Sequence, residues 1–178
     1  VSPWRSVQNG PNAFVVESFM DELAHAAGKD PLEFRLKLLK NVMRPRRVLE
    51  TVAEKAGWGK PLANGNGRGI AQHTCFGTSV AQVAEISVNE KDGTFRVHRV
   101  VVAVDCGLAV APFNIKTQVE GAVVMGLSTA LREEVKFANG GVSTANFDDY
   151  SPIRLSEIPD IEVHIVKSKE AMGGIGEP

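Results

Sequence analysis

Cysteine is scarce in this chain. Its 178 residues include only two, Cys75 and Cys106, and neither lies in a C-x-x-C pair. Four-cysteine zinc or iron–sulfur ligation cannot be assembled from them, and both are expected to be reduced core thiols, because cysteine is among the residues most often buried. His25, His73, His98 and His164 are scattered, with no pair four apart and no H-E-x-x-H or H-x-E pattern, which argues against a histidine metal site. No apolar run approaches the roughly 20 residues of a spanning helix, and no basic-then-apolar start reads as a signal peptide. Neither charge sign dominates: 20 basic and 21 acidic residues interleave to a formal charge of −1, so no field gathers phosphates and nucleic acid is a poor partner. The serines lack a G-x-S-x-G elbow, no G-x-x-x-x-G-K loop is present, and there is neither an internal repeat nor a low-complexity tract.

The composition that remains, 43% hydrophobic and 23% charged, is that of a globular chain able to bury a core as one domain or two small ones. Opening on Val1 and closing on Gly176-Glu177-Pro178, it reads as a piece of a longer polypeptide, because a domain seldom stops on a glycine loop. On that reading, glycine and apolar faces near Gly121, Gly126 and Gly173 are expected to be exposed or paired.

Periodicity predicts three helices in the first third. The first follows Asn12 as N-cap, with Val16, Phe19, Met20, Leu23, Ala24 and Ala27 as a core stripe, and ends at Gly28. Asp30-Pro31-Leu32-Glu33 supplies an N-cap, a first-turn proline and a capping-box glutamate for the second, whose stripe is Leu32, Leu36 and Leu39. The third spans about 45–56, with Val48, Leu49, Val52 and Ala53 inward and Gly57 as its stop. The Gly-, Asn- and Pro-rich stretch 61–69 reads as a linker, dividing a helical segment 1–60 from an α+β segment 61–178.

Strands are expected beyond it. The run 77–88 sets Val80, Ala84, Ile86 and Val88 on one face, with Gln82 as the exception, and turns at Asp92-Gly93 into a strand from Phe95 that becomes continuously apolar at 100–104, as a doubly covered strand would. A helix over about 114–130 aligns Ile115, Val119, Ala122, Val123, Leu127 and Ala130. Its internal Gly121 and Gly126 each cost on the order of 1 kcal/mol against Ala, so close approach of a neighbour is one reason to carry them and plain packing another. A short strand at 133–137, a hairpin at Asn139-Gly140-Gly141, and alternation of Ile161, Val163 and Ile165 with Glu162 and His164 complete an α+β fold with a mixed or antiparallel sheet and a packed helix. The paired acids Asp148-Asp149 and Glu133-Glu134 read as solvated rather than catalytic.

Four segments carry more than periodicity. They are Trp4-Arg5-Ser6-Val7 with Gly10-Pro11-Asn12-Ala13-Phe14 and 17–24; Lys29-Asp30-Pro31-Leu32-Glu33-Phe34-Arg35; Val104-Asp105-Cys106-Gly107 with Pro112, Gln118-Val119-Glu120-Gly121 and Gly126-Leu127; and Gly173-Gly174-Ile175-Gly176-Glu177-Pro178. In order and spacing they resemble the C-terminal part of the molybdenum-binding large subunit of xanthine-oxidase-family hydroxylases. The direct passage from Gly67-Arg68-Gly69-Ile70-Ala71 to 76–85 is similar to the isoquinoline 1-oxidoreductase and aldehyde dehydrogenase branch.

The resemblance implies a molybdenum–molybdopterin cytosine dinucleotide cofactor held between large-subunit domains. It also implies an iron–sulfur small subunit as partner, and a reaction that hydroxylates an N-heterocyclic aromatic or oxidises an aldehyde with water as oxygen source. The piece alone is not expected to bind the cofactor well. Glu177 is implied as general base, a role a carboxylate can fill when a dry site tunes its pKa, with the preceding glycines allowing close approach to a bulky group. Arg5, Gln118, Gly174 and Gly176 are implied as cofactor-binding residues. A guanidinium fork can hold an oxygen-bearing group, and a glutamine amide can both donate and accept. Val7 is implied at the substrate pocket, where an aliphatic side chain favours an apolar ring. The competing reading is a non-catalytic scaffold or interaction subunit that keeps the fold. A nucleotide-binding module using 173–176 as a phosphate loop is weaker for want of the lysine. The compartment, bacterial cytoplasm or periplasm, stays unassigned.

Overall fold

The computed structural model describes residues 4–176. Its centre is a four-stranded mixed sheet in the order β1 (Asn66–Cys75), β2 (Thr78–Val88), β3 (Phe95–Asp105) and β6 (Asp160–Ile165). β1, β2 and β3 run antiparallel to their neighbours, while β6 joins β3 in parallel. A parallel neighbour needs a crossover, here the 20-residue helix α4 (Pro112–Leu131) followed by a long loop. The loop holds the two-residue hairpin β4 (Phe137–Ala138) and β5 (Gly141–Val142), closed by Asn139 and Gly140 at positive φ, and a short turn at Leu155–Glu157.

Each face of the sheet has its own cover. On one, Val48, Leu49, Val52, Ala53 and Ala56 of α3 (Met43–Ala56) close over Ile70, Ala81, Val83, Val101 and Ala103. Leu32, Leu36 and Leu39 at the α2 (Pro31–Leu38) end of the layer pack against the same cluster. On the other, Ile115, Val119 and Val123 of α4 meet Val97, Val100, Val102, Val104 and Val163. Since alternate residues of a strand point to opposite faces, the unbroken valine run of β3 fits a strand buried on both sides.

Local signals act as the sequence suggests. Asp30 Oδ1 accepts from the backbone N–H groups of Leu32 and Glu33, and Pro31 opens α2. Gly57 caps α3 at φ +66°, a left-handed turn that glycine adopts without strain. Two expectations need correction. Residues 66–69, read as the end of the linker, open the edge strand β1, whose glycines and single buried residue, Ile70, hide the alternation that marks a strand. Helix α1 (Asn9–Ala26) begins before Asn12, and no side chain caps it. Pro11 is tolerated because first-turn N–H groups have no intrahelical partner.

The apolar stripe of α1 is the larger surprise. Only Ala24 is buried, and Phe14, Val16 and Phe19 are exposed. Polar bonds hold the helix instead. Glu17 Oε2 accepts from Arg35 Nε at 2.8 Å and from the Gln72 N–H at 2.8 Å, Asp21 takes Arg35 Nη1 at 2.7 Å, and the Arg35 side chain is 3% exposed. Asn9 Oδ1 lies 3.1 Å from His73 Nε2, tying the start of α1 to β1. Gly121 and Gly126 are exposed too, and nothing stands within 4 Å of where a Cβ would lie, so no neighbour among the described residues accounts for them. Among the described residues, no helix is long and apolar enough to cross a membrane.

Candidate functional site

The sheet edge where β1 ends, β2 begins and β3 ends is where the chain returns as the glycine loop, residues 173–176. Backbone bonds fix its path: Gly173 N–H donates to the Cys106 carbonyl at 3.0 Å and Gly174 N–H to the Phe76 carbonyl at 2.8 Å. Thr78 Oγ1 donates to the Gly174 carbonyl at 2.6 Å. The fit has no room for side chains. A Cβ on Gly173 would lie 2.4 Å from the Gly77 carbonyl carbon and oxygen, so only glycine can pass there. Phe76, at φ +47°, and Gly77, at φ +76°, form the tight turn against which the loop rests.

Helix α4 supplies the opposite wall. The Gln118 side-chain amide donates to the Gly176 carbonyl, closing a cleft of about 420 Å³ between loop and helix. Its lining is mainly apolar, with Leu108, Val110, Ile115, Met172 and Ile175 beside the polar side chains of Asn114 and Gln118. Residues three and four apart share a helix face, so Asn114, Gln118, Gly121 and Met125 form one ridge. Arg5 Nη1 reaches Met125 Sδ at 3.6 Å. Met125 is seven residues past Gln118, about 10 Å along the axis at 1.5 Å per residue. Glycine loop and arginine loop thus meet the same helix face two turns apart, and between them Gly121 leaves the ridge without a side chain.

Of the residues singled out in sequence, the structure brings together Gln118, Gly174 and Gly176 around the cleft and sets Arg5 beside them on α4. Gln118 spends its amide N–H on the loop, which leaves its Oε1 as the group able to accept from a ligand. Gly174 already has both backbone groups bonded. Val7 is exposed on the Arg5 loop with φ +55°, and Ser6 has φ +69°. A β-branched residue in the left-handed region is a strained conformation, here beside the candidate site. Glu177 lies outside the described residues.

Sequence reasoning overlooked what anchors the loop from behind. Asp105, fully buried at the end of β3, accepts from Arg44 Nε at 3.1 Å and Arg47 Nη2 at 3.3 Å, and its Oδ1 also takes the Gly107 N–H at 3.0 Å. Arg44 continues outward, donating to the Gly77 carbonyl at 2.5 Å and the Ala171 carbonyl at 2.8 Å. Arg47 also binds Ser168 Oγ at 3.3 Å and Glu170 Oε1 at 3.0 Å. The available signal was a charged residue closing an otherwise apolar strand, with Arg44, Arg46 and Arg47 clustered at the start of α3.

No thiol here is poised as a nucleophile. Burial pushes the Cys106 thiol above its ordinary range, with the Asp105 carboxylate adding to the rise, and burial raises Cys75 as well. Glu133 also has a structural post. It accepts from Ser128 Oγ and from the Tyr150 hydroxyl, both at 2.5 Å, and Ser128 Oγ in turn takes the Ile153 N–H, pinning the crossover loop to the end of α4. The bond to Glu133 raises the Tyr150 pKa. Among the described residues, no three His, Cys, Asp or Glu side chains gather as a metal site.

Comparison with known proteins agrees with this architecture. The beta subunit of isoquinoline 1-oxidoreductase from Brevundimonas diminuta is 38% identical over 167 residues, covering 92% of this chain and 21% of that protein. A membrane-bound aldehyde dehydrogenase (pyrroloquinoline-quinone) from Gluconacetobacter polyoxogenes is 33% identical over an alignment covering 98% of the chain and 25% of the relative. The chain therefore spans about a quarter or less of the length of these relatives. Among solved structures, CO dehydrogenase from Oligotropha carboxidovorans superposes with a TM-score of 0.51 at 22% identity over 56% of this chain and 13% of that one, which shows a shared fold. The description of the molybdopterin cofactor-binding domain matches residues 16–159, and the chain belongs to that family.

Proposed function

We propose that the full-length protein is a molybdenum-dependent oxidoreductase that hydroxylates an N-heterocyclic aromatic or oxidises an aldehyde with water as the oxygen source, and that this chain contributes one wall of its centre. The observation that carries the reading is the gap that Gly121 leaves in the side-chain ridge of α4, between the glycine loop and Arg5. A bulky group with anionic edges fits there. Open backbone at Gly121 and Gly176 permits close approach, Gln118 Oε1 can accept from ring N–H groups, and Arg5 supplies a fixed positive fork.

The group is a molybdenum–molybdopterin cofactor in its cytosine dinucleotide form, which when bound supplies the two-electron oxidising centre. The chain's own residues do the rest. The Glu177 carboxylate accepts the proton released from the attacking water, a step a positioned base accelerates typically 10²–10⁴-fold. Gln118 and the glycine loop position the group, Gly174 and Gly176 by their backbone. Val7 presents an aliphatic side chain toward an apolar ring. Electrons leave through iron–sulfur clusters on a partner subunit, as the family resemblance implies. The names of the two relatives span both substrate classes, heterocycle and aldehyde.

Arg5→Lys tests the reading against a scaffold that keeps only the fold. A guanidinium stays charged at any working pH, so Arg5 positions and does no proton chemistry. In the full-length complex the variant is expected to retain its metal and to lose turnover by roughly 10-fold, because lysine keeps the charge but not the planar fork. Wild-type turnover in that variant would remove Arg5 from the site.

A further inference from the structure

We infer that Asp105, Arg44 and Arg47 form a positioning clasp that fixes the glycine loop, the segment that leads in sequence to Glu177, against the end of the sheet. Its link to turnover rests on the base role proposed for Glu177; its structural content does not. Arg44 uses its whole fork on separate segments. Nε binds Asp105 at the end of β3, Nη1 the Gly77 carbonyl in the β1–β2 turn, and Nη2 the Ala171 carbonyl two residues before the glycine loop. Arg47 joins the same Asp105 to Ser168 and Glu170 on the approach to the loop. Asp105 thus orients two guanidinium groups that between them hold both banks of the channel through which the loop passes.

The fit is close on every side. Asp105 Oδ1 takes the Gly107 N–H, and a Cβ on Gly107 would come within 2.8 Å of the Glu170 and Ala171 carbonyl oxygens. Buried ion pairs repay their desolvation poorly as stabilisers, and their best-attested use is in fixing geometry. Here the fixed geometry is that of a loop whose bonds to Cys106, Phe76 and Thr78 all form within a few residues of the clasp. The charged groups facing the cluster, Arg44, Arg47 and Glu170 around Asp105, balance in sign.

The test is hydrogen exchange and steady-state kinetics on the full-length complex carrying Arg44→Lys or Asp105→Asn. Lysine keeps a cation beside Asp105 but cannot reach three acceptors in one plane. In Arg44→Lys the amides of 172–176 are expected to exchange at least about 10-fold faster, while those of 101–104 in β3 keep their wild-type protection. Turnover is expected to fall roughly 10-fold or more at unchanged molybdenum content, with little change in KM, because a small misplacement of a reacting group is enough to slow the chemical step. Wild-type exchange at 172–176 in Arg44→Lys would overturn the proposal. So would loss of protection in β3 in both variants, which would assign the cluster to general stability. A loosened loop in Arg44→Lys, combined with undiminished turnover in Glu177→Gln, would leave the clasp standing and remove the base role instead.

Discussion

Glu177→Gln in the full-length complex is expected to preserve molybdenum and pterin content and to lower kcat by at least the roughly 10²-fold typical of a lost general base. The substitution is nearly isosteric and leaves the glycine loop its backbone bonds, so cofactor binding has no reason to change. What disappears is the ability to take up a proton, because an amide at that position cannot act as a base near neutral pH. The loop before it is bound to the sheet at Cys106, Phe76 and Thr78 and to α4 through Gln118. Stopped-flow reduction of the cofactor by substrate measures the step directly. Undiminished reduction with full cofactor would defeat the assignment.

Gly173→Ala is the second large effect, and it works through space rather than through chemistry. The added Cβ would sit 2.4 Å from two Gly77 backbone atoms and from Thr78 Oγ1, and the Gly77 backbone cannot yield as a flexible side-chain end could. The loop must lift, breaking the Gly173 bond to Cys106 and straining those of Gly174 to Phe76 and Thr78. Overpacking of this kind costs about 1–3 kcal/mol, and displacement of a reacting group by about 1 Å can cost on the order of 10²-fold in rate. Gly176→Ala is the matched control for stability alone, since Gly176 itself belongs to the proposed cofactor contact. Nothing lies within 4 Å of its Cβ position, so melting temperature should hold. Thermal unfolding of the two variants checks the contrast, and a Gly173→Ala enzyme with wild-type melting temperature and kcat would show that the loop does not run as described.

Much of the fold was legible because its signals are local. Asp30-Pro31 sets a helix start within three residues, Gly57 a helix stop within one, and the β2–β3 hairpin turns on Asp92-Gly93 between two apolar runs. The alternation of 161–165 marks β6, although its parallel pairing with β3 depends on the α4 crossover and not on its own residues. What failed was whatever depends on what lies across the space. The α1 stripe has helical period yet is held by Arg35 rather than by apolar contacts, and β1 is an edge strand whose glycines interrupt its pattern.

The site divides along the same line. The glycine loop, Gln118 and Arg5 could be named from motif resemblance, since each sits in a short distinctive string. The clasp could not, because Arg44 lies 61 residues and Arg47 58 residues from Asp105, and Thr78 lies 96 residues from the carbonyl it binds. Nor did sequence foretell that Gln118 would spend its amide N–H on Gly176, or that Gly121 would open a gap in the ridge between the two loops.

The claim on which everything else depends is that this helix face and glycine loop wall a molybdenum–pterin centre. The names of the relatives allow a sharp alternative, since the Gluconacetobacter polyoxogenes aldehyde dehydrogenase carries pyrroloquinoline-quinone in its name. Cofactor extraction and metal analysis of the purified full-length complex decide between them. The account predicts molybdenum and a pterin dinucleotide in stoichiometric amount with no quinone, whereas an active complex containing stoichiometric quinone and no molybdenum would contradict it.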